Sequence, residues 1–304
     1  MKCLCKSKKE QLESNTLFNR RDYMNKTSVT RSDLKHNFLK RIIIRADFRG
    51  VDEEEITQSL SVIKEYLKGN KYIRYTKETA NEIDYRLDDP QPGEIPMPVP
   101  SSIRRTEVHV FQNIEPGICV RLSASFVFIT IESAKYKNCL SYCQNICDLL
   151  NAIKDKASFF ELCRFGIRKI NQCLIWNEAL INKYFEPHVL KLYKGCQDQS
   201  LSKVSELRDF FSLNNYYDVN FTRTIVCGEA SDGRNAYQLT LDSDIYVQEE
   251  HCGSLITNFN DKSKDMNEYL FCVYKDSITE EFIDLLSQEE FESNSEIIGV
   301  EKND

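Results

Sequence analysis

The chain has 304 residues, 41% of them apolar and 29% charged, with a formal net charge of −7. That length buries a real core in one large domain or two smaller ones, and the composition is that of a globular protein, which excludes a disordered scaffold. Charge is uneven: residues 1–41 hold eleven Lys/Arg against four Asp/Glu, a surplus of seven, so the remainder carries −14, which argues against a body whose own groove tracks phosphates.

Residues 1–36 show no sustained period and read as a basic, solvated leader. A nucleic-acid-binding arm is the alternative, disfavoured because Phe18 and Tyr23 are its only interleaved aromatics. Cys3 and Cys5 lack the second Cys pair that a tetrahedral metal site needs. Phe38–Val51, with Ile42, Ile43 and Ile44 at its centre, predicts a strand. Asp52 before Glu53, Glu54 and Glu55 predicts a helix start, and Ile56, Leu60, Ile63 and Leu67 its apolar stripe, ended by Gly69 and Asn70. Tyr72–Asp88 reads as extended. Residues 89–100 hold five of the seven prolines and are expected as a surface excursion that is neither helix nor central strand.

Thr106–Gln112 and Ile118–Glu132 predict strands joined by Glu115-Pro116-Gly117. Tyr136–Ala157 reads as an amphipathic helix, on which Cys139, Cys143 and Cys147 form a stripe of core thiols rather than ligands. Phe159–Leu174 predicts a strand. Two short helices follow, Asn177–Phe185 and Ser202–Phe211, the second opened by Ser202 as a cap. Tyr217–Cys227 and Asn235–Gln248 read as a hairpin turning at Ser231-Asp232-Gly233. A helix is expected from Leu255 to Tyr274, and a last one opened by Thr279-Glu280-Glu281. The fold class is α+β: a two-layer antiparallel sheet with helices on one face and a ββα pseudo-duplication at 106–157 and 217–286. The expected division is a leader (1–36), a first half (37–200), a second half (201–288) and an acidic, solvated tail (289–304). The twelve cysteines without a signal peptide imply a reduced, cytoplasmic chain, and no apolar run approaches the roughly 20 residues of a membrane helix.

Three stretches carry a resemblance. Phe126–Ile131 running on to Tyr136, the run Arg164-Phe165-Gly166-Ile167-Arg168-Lys169-Ile170-Asn171, and Leu241-Asp242-Ser243-Asp244-Ile245-Tyr246 resemble, in order and spacing, a sporadically distributed family of bacterial and archaeal proteins that has no assigned activity. Lys169 departs from the family's usual aromatic and Ser243 from its usual aliphatic. The resemblance spans roughly residues 38–288. It implies a consistent fold and carriage on mobile or defence-related loci, but no chemistry.

Candidate site residues come from the last two of these stretches. On a strand, alternate residues share a face, which sets Arg164 and Arg168 together around Gly166. Paired guanidiniums can hold a phosphate or carboxylate, or bridge to Asp242 or Asp244 on a neighbouring strand. Asp242 and Asp244 also share a face and could chelate a divalent ion, though no third carboxylate or base is evident. Asn171 closes the arginine motif and joins the candidate binding set. The four histidines (36, 109, 188 and 251) are far apart, and no nucleophile elbow, phosphate loop or dinucleotide fingerprint occurs. No cofactor or metal is therefore expected. The favoured expectation is a binding or interaction protein with a protein partner or a small anionic ligand, without a membrane. The alternative is a metal-dependent enzyme acting on a phosphorylated or nucleic-acid substrate, using Asp242 and Asp244 for metal and Arg164 and Arg168 for phosphate.

Overall fold

Alternation in sequence becomes alternation in burial along the strands Leu39–Arg49, Ile118–Leu122, Phe126–Glu132, Tyr217–Glu229 and Asn235–Gln248 of the computed structural model. It describes residues 28–87, 98–136, 138–191, 193, 203–229, 233–291 and 297–302. The chain is α+β, with antiparallel sheet and, among the described residues, six α-helices. It divides into two compact units, each discontinuous in sequence. The leading unit is Ile42–Ile167 with Val247–Ser263, and the trailing unit is Met1–Arg41, Arg168–Tyr246 and Lys264–Asp304.

In the leading unit, β2 (Leu39–Arg49) turns Ile42, Ile44 and Ala46 fully inward, each large side chain contributing about 1.5–3 kcal/mol on burial. Gly50 then turns the chain at φ +74°, and a Cβ there would stand 1.9 Å from the Phe159 carbonyl oxygen, so only glycine fits. The turn delivers Asp52 as cap of α1 (Glu53–Gly69): its Oδ1 accepts from the Glu55 amide at 2.8 Å, and the Asp52 amide donates back to Glu55 Oε2 at 3.1 Å. Next come β3 (Tyr72–Leu87), β4 (Pro98–Asn113), β5 (Ile118–Leu122), β6 (Phe126–Glu132) and α2 (Cys139–Lys154), the last capped by Asn138. The strand order is β3-β4-β5-β6-β2.

The trailing unit takes β7 (Glu161–Ile175) from Arg168 onward, then α3 (Glu178–Tyr184), β8 (Val204–Leu213), β9 (Tyr217–Glu229) and β10 (Asn235–Gln248), in the order β7-β10-β9-β8. After β10 come α4 (Glu249–Thr257), α5 (Phe259–Ser277) and α6 (Glu280–Leu286). Inward residues of β9 and β10 (Phe221, Ile225, Leu239, Leu241) pack with Phe38, Phe185, Tyr274 and Phe282 in one core. Within it the Phe38 and Phe282 rings stack at 5.6 Å.

Several expectations change. The helix expected at 202–211 is strand β8, closed onto β9 by a tight turn. The helix expected from Leu255 to Tyr274 is two, broken at Asn258, which leaves helical geometry at φ −125° and ψ 38°. Pro98 and Pro100 lie in β4, although most of the proline segment (88–97) lies outside the described residues. They fit because β5 pairs only with His109–Gln112, so the early half of β4 loses no ladder bond on that side to the missing N–H. Residues 1–27 of the expected leader lie outside the described residues, but residues 28–36 are folded: Leu34 is buried, and the Lys275 ammonium donates to the Val29 carbonyl. β1 (His36–Asn37) pairs with β12 (Glu301–Lys302), and β11 (Ile297–Ile298) pairs with β7. The acidic tail is therefore anchored where two isoleucines interrupt its charge. Cys139 and Cys143 are buried, as a packed stripe requires, and Cys147 is half-buried. Cys227 is disulfide-bonded, and a disulfide needs only spatial proximity, which spacing in sequence does not reveal.

Candidate functional site

Strand β7 sorts the arginine motif by face. Phe165 and Ile167 are fully buried. Lys169, on the same side, reaches α5 and donates to Asn267 Oδ1 at 2.7 Å. Asn171 follows that parity and is 6% exposed, so the helix-packed face holds it while Arg168 stands on the opposite one.

Arg168 and Asp242 meet on that opposite face. The guanidinium Nε donates to Oδ1 at 2.8 Å and Nη2 to Oδ2 at 2.5 Å, a two-pronged pair. Hydrogen bonding to Asp242 raises the Arg168 pKa, and the nearby charge of Asp244 adds to it. With the Arg168 side chain 45% exposed, solvent screening limits the pair to about 1 kcal/mol. Asp242 lies opposite Thr222 and Asp244 opposite Asn220 on β9, and the Gln172 amide reaches Thr240 Oγ1 at 3.2 Å.

Arg164 belongs to the leading unit, where its Nη1 stands 3.7 Å from Asp47 Oδ2 on β2. Asp47 also accepts from Arg45 Nε at 2.7 Å, and the Arg45 guanidinium lies 5.0 Å over the Phe126 ring. Trp176, just beyond β7, is covered by the Arg234 guanidinium at 4.4 Å. Cys163 beside Arg164 is not an activated thiol: burial raises its pKa.

Chemically, a carboxylate already held by both prongs of a guanidinium is poorly placed to chelate metal, and that guanidinium is poorly placed to hold phosphate. What sequence reasoning missed is the exposed apolar character of the trailing unit's outer strand. β8 ends the strand order and presents Phe210 at 61% exposure, with Val204 at 51% opposite Val226 at 37%. The available signal was the alternation Val204, Glu206, Arg208, Phe210 once the segment is read as strand.

No family model matches the chain, and no curated protein matches it. Among solved structures, the S. pombe Pct1 RNA triphosphatase in complex with the Spt5 CTD aligns with 93% of this chain and 95% of that one, at 8% identity and a TM-score of 0.11. A likeness of that size carries neither fold nor function.

Proposed function

We propose that this protein is a binding module that takes a protein partner on the outer face and edge of β8. The observation that carries the reading is Phe210, a large aromatic left 61% exposed on the terminal strand of its sheet. Such a strand is a template for an added partner strand, with main-chain bonds giving affinity and side-chain pockets giving specificity. At the other end of the strand, beyond the Glu206–Arg208 ion pair, Val204 and Val226 form a second exposed apolar pair across two strands. Aromatic anchors of this kind dominate interface energetics. The ion pair between Arg168 and Asp242 disfavours the alternative of a metal-dependent phosphoryl enzyme, because one member of each functional pair is spent on the other while Arg164 stands against Asp47 instead. The resemblance to the sporadically distributed prokaryotic family fits carriage beside a partner gene.

The test places a photo-crosslinking phenylalanine analogue at position 210, with a control at Val62, which is 50% exposed on α1. A discrete adduct at 210, absent at 62 and lost when unlabelled protein but not its Phe210→Asp variant is added in excess, is the expected result. Equal adducts at both positions would overturn the reading.

A further inference from the structure

The leading unit brings together three metal-binding side chains that lie far apart or unremarked in the sequence. Glu53 opens α1, and Glu107 and His109 share one face of β4, two residues apart. Their ligand atoms all lie within 4.8 Å of one another. The imidazole of His109 is fully buried, and its Nε2 has no hydrogen-bond partner. That nitrogen faces Glu107 Oε1 at 3.4 Å without hydrogen-bond alignment. Two ligands at about 2.1 Å from a tetrahedral ion stand about 3.4 Å apart, so this pair already has the spacing of metal ligands. The other ring nitrogen, Nδ1, is 2.9 Å from the Tyr75 hydroxyl. A ring held this way, with Nδ1–H donating to an oxygen, presents the Nε2 lone pair to a metal.

We propose that Glu53, Glu107 and His109 bind a divalent transition-metal ion, with Zn²⁺ as the best match to one imidazole and two carboxylates. Three protein ligands leave a coordination position for water. The ammonium of Lys77, on β3 opposite His109, now donates to Glu107 Oε1 at 2.7 Å. It occupies the place of the ion's charge and is the competitor that metal displaces. The site goes beyond the β8 reading and depends on none of it.

The full chain, stripped with a chelator and kept in a phosphine reductant, is titrated with ZnCl₂ by calorimetry and with Co²⁺ by absorption. One site is expected. Glu53→Gln and Glu107→Gln each weaken it at least tenfold, and Tyr75→Phe weakens it about tenfold by releasing the ring. Lys77→Met tightens it, which a merely structural ion pair does not explain. The glutamates are partly exposed, so their variants are expected to fold where a His109 variant could fail to. The Co²⁺ complex shows ligand-field bands without thiolate charge transfer. No binding, binding unchanged in both glutamate variants, or a strong thiolate band would each overturn the assignment.

Discussion

At the scale of single residues, the most demanding position is Arg223, which is completely buried on β9. Its parity with Val219, Phe221 and Ile225 puts a guanidinium on the core face, where no carboxylate among the described residues pairs with it. Neutral acceptors take its protons instead: Nε donates to the Val189 carbonyl at 2.8 Å, Nη1 to the Ser205 carbonyl at 3.0 Å and hydroxyl at 2.8 Å, and Nη2 to the Lys191 carbonyl at 3.1 Å. The side chain thus joins β8 and the segment after α3 to β9. Burial lowers its pKa, but a guanidinium stays charged at any accessible pH. Arg223→Ala leaves those oxygens without donors in the core and is expected to cost about 3–5 kcal/mol. Arg223→Lys, with one compact ammonium in place of a planar fork, is expected to cost about half as much. Urea unfolding measures both, and a loss below about 1 kcal/mol in the alanine variant would mean the carbonyls find other donors.

At the scale of elements, the hairpin of β8 and β9 shows what sequence reading resolved and what it lost. Asn214 and Asn215 both sit in the left-handed region, at φ 55° and 53°, and the Tyr216 amide donates to the Leu213 carbonyl at 3.1 Å. This is the mirror-image turn whose twist suits a two-stranded ribbon. The Asn214 amide is tied to the Tyr269 hydroxyl at 2.5 Å, so Asn215 is the freer position. Asn215→Gly is expected to stabilise the protein by about 0.5–1 kcal/mol, and Asn215→Val to destabilise it by about 1–2 kcal/mol, read as opposite shifts of the urea midpoint. The segment looks helical because Val204, Leu207, Phe210 and Phe211 also satisfy a three-to-four-residue spacing. Only the Asn-Asn pair separates the two patterns, and strand pairing along ten rungs decides the outcome. By contrast, β2 and α1 are legible because independent signals agree there: β-branched alternation, a capping box and a regular apolar stripe. The residues of the candidate metal site escape because β3–β4 pairing and the packing of α1 bring them together. Glu107 and His109 show only an ordinary strand alternation, and Glu53 looks like a dipole-matched helix start.

At the scale of the whole molecule, each unit follows the same path. An opening strand leads through a helix into an antiparallel meander whose last strand lies beside the opening one: β2 beside β6, and β7 beside β10. The similar order of strands and helices expected at 106–157 and 217–286 thus has an opening strand in each unit, β2 and β7, whose distance along the chain from β6 and β10 hid them. Each unit also carries a buried thiol that reports on its own core. Cys252 lies in the leading unit and Cys173 in the trailing one; both are free and 2% exposed or less. Burial pushes each thiol pKa up to about 12. At pH 8 the thiolate fraction is then about three orders of magnitude below that of an ordinary cysteine, and burial denies reagent access besides. Alkylation by iodoacetamide under native conditions is expected to leave both residues unmodified while half-buried Cys163 and Cys272 react first. With increasing urea, each should become reactive as its own unit opens, and peptide mass spectrometry after a short pulse gives two separate midpoints. Coincident midpoints would show the units opening together, and separate ones would identify the less stable half. Native labelling of Cys173 or Cys252 at the rate of Cys163 would contradict the packing of that core.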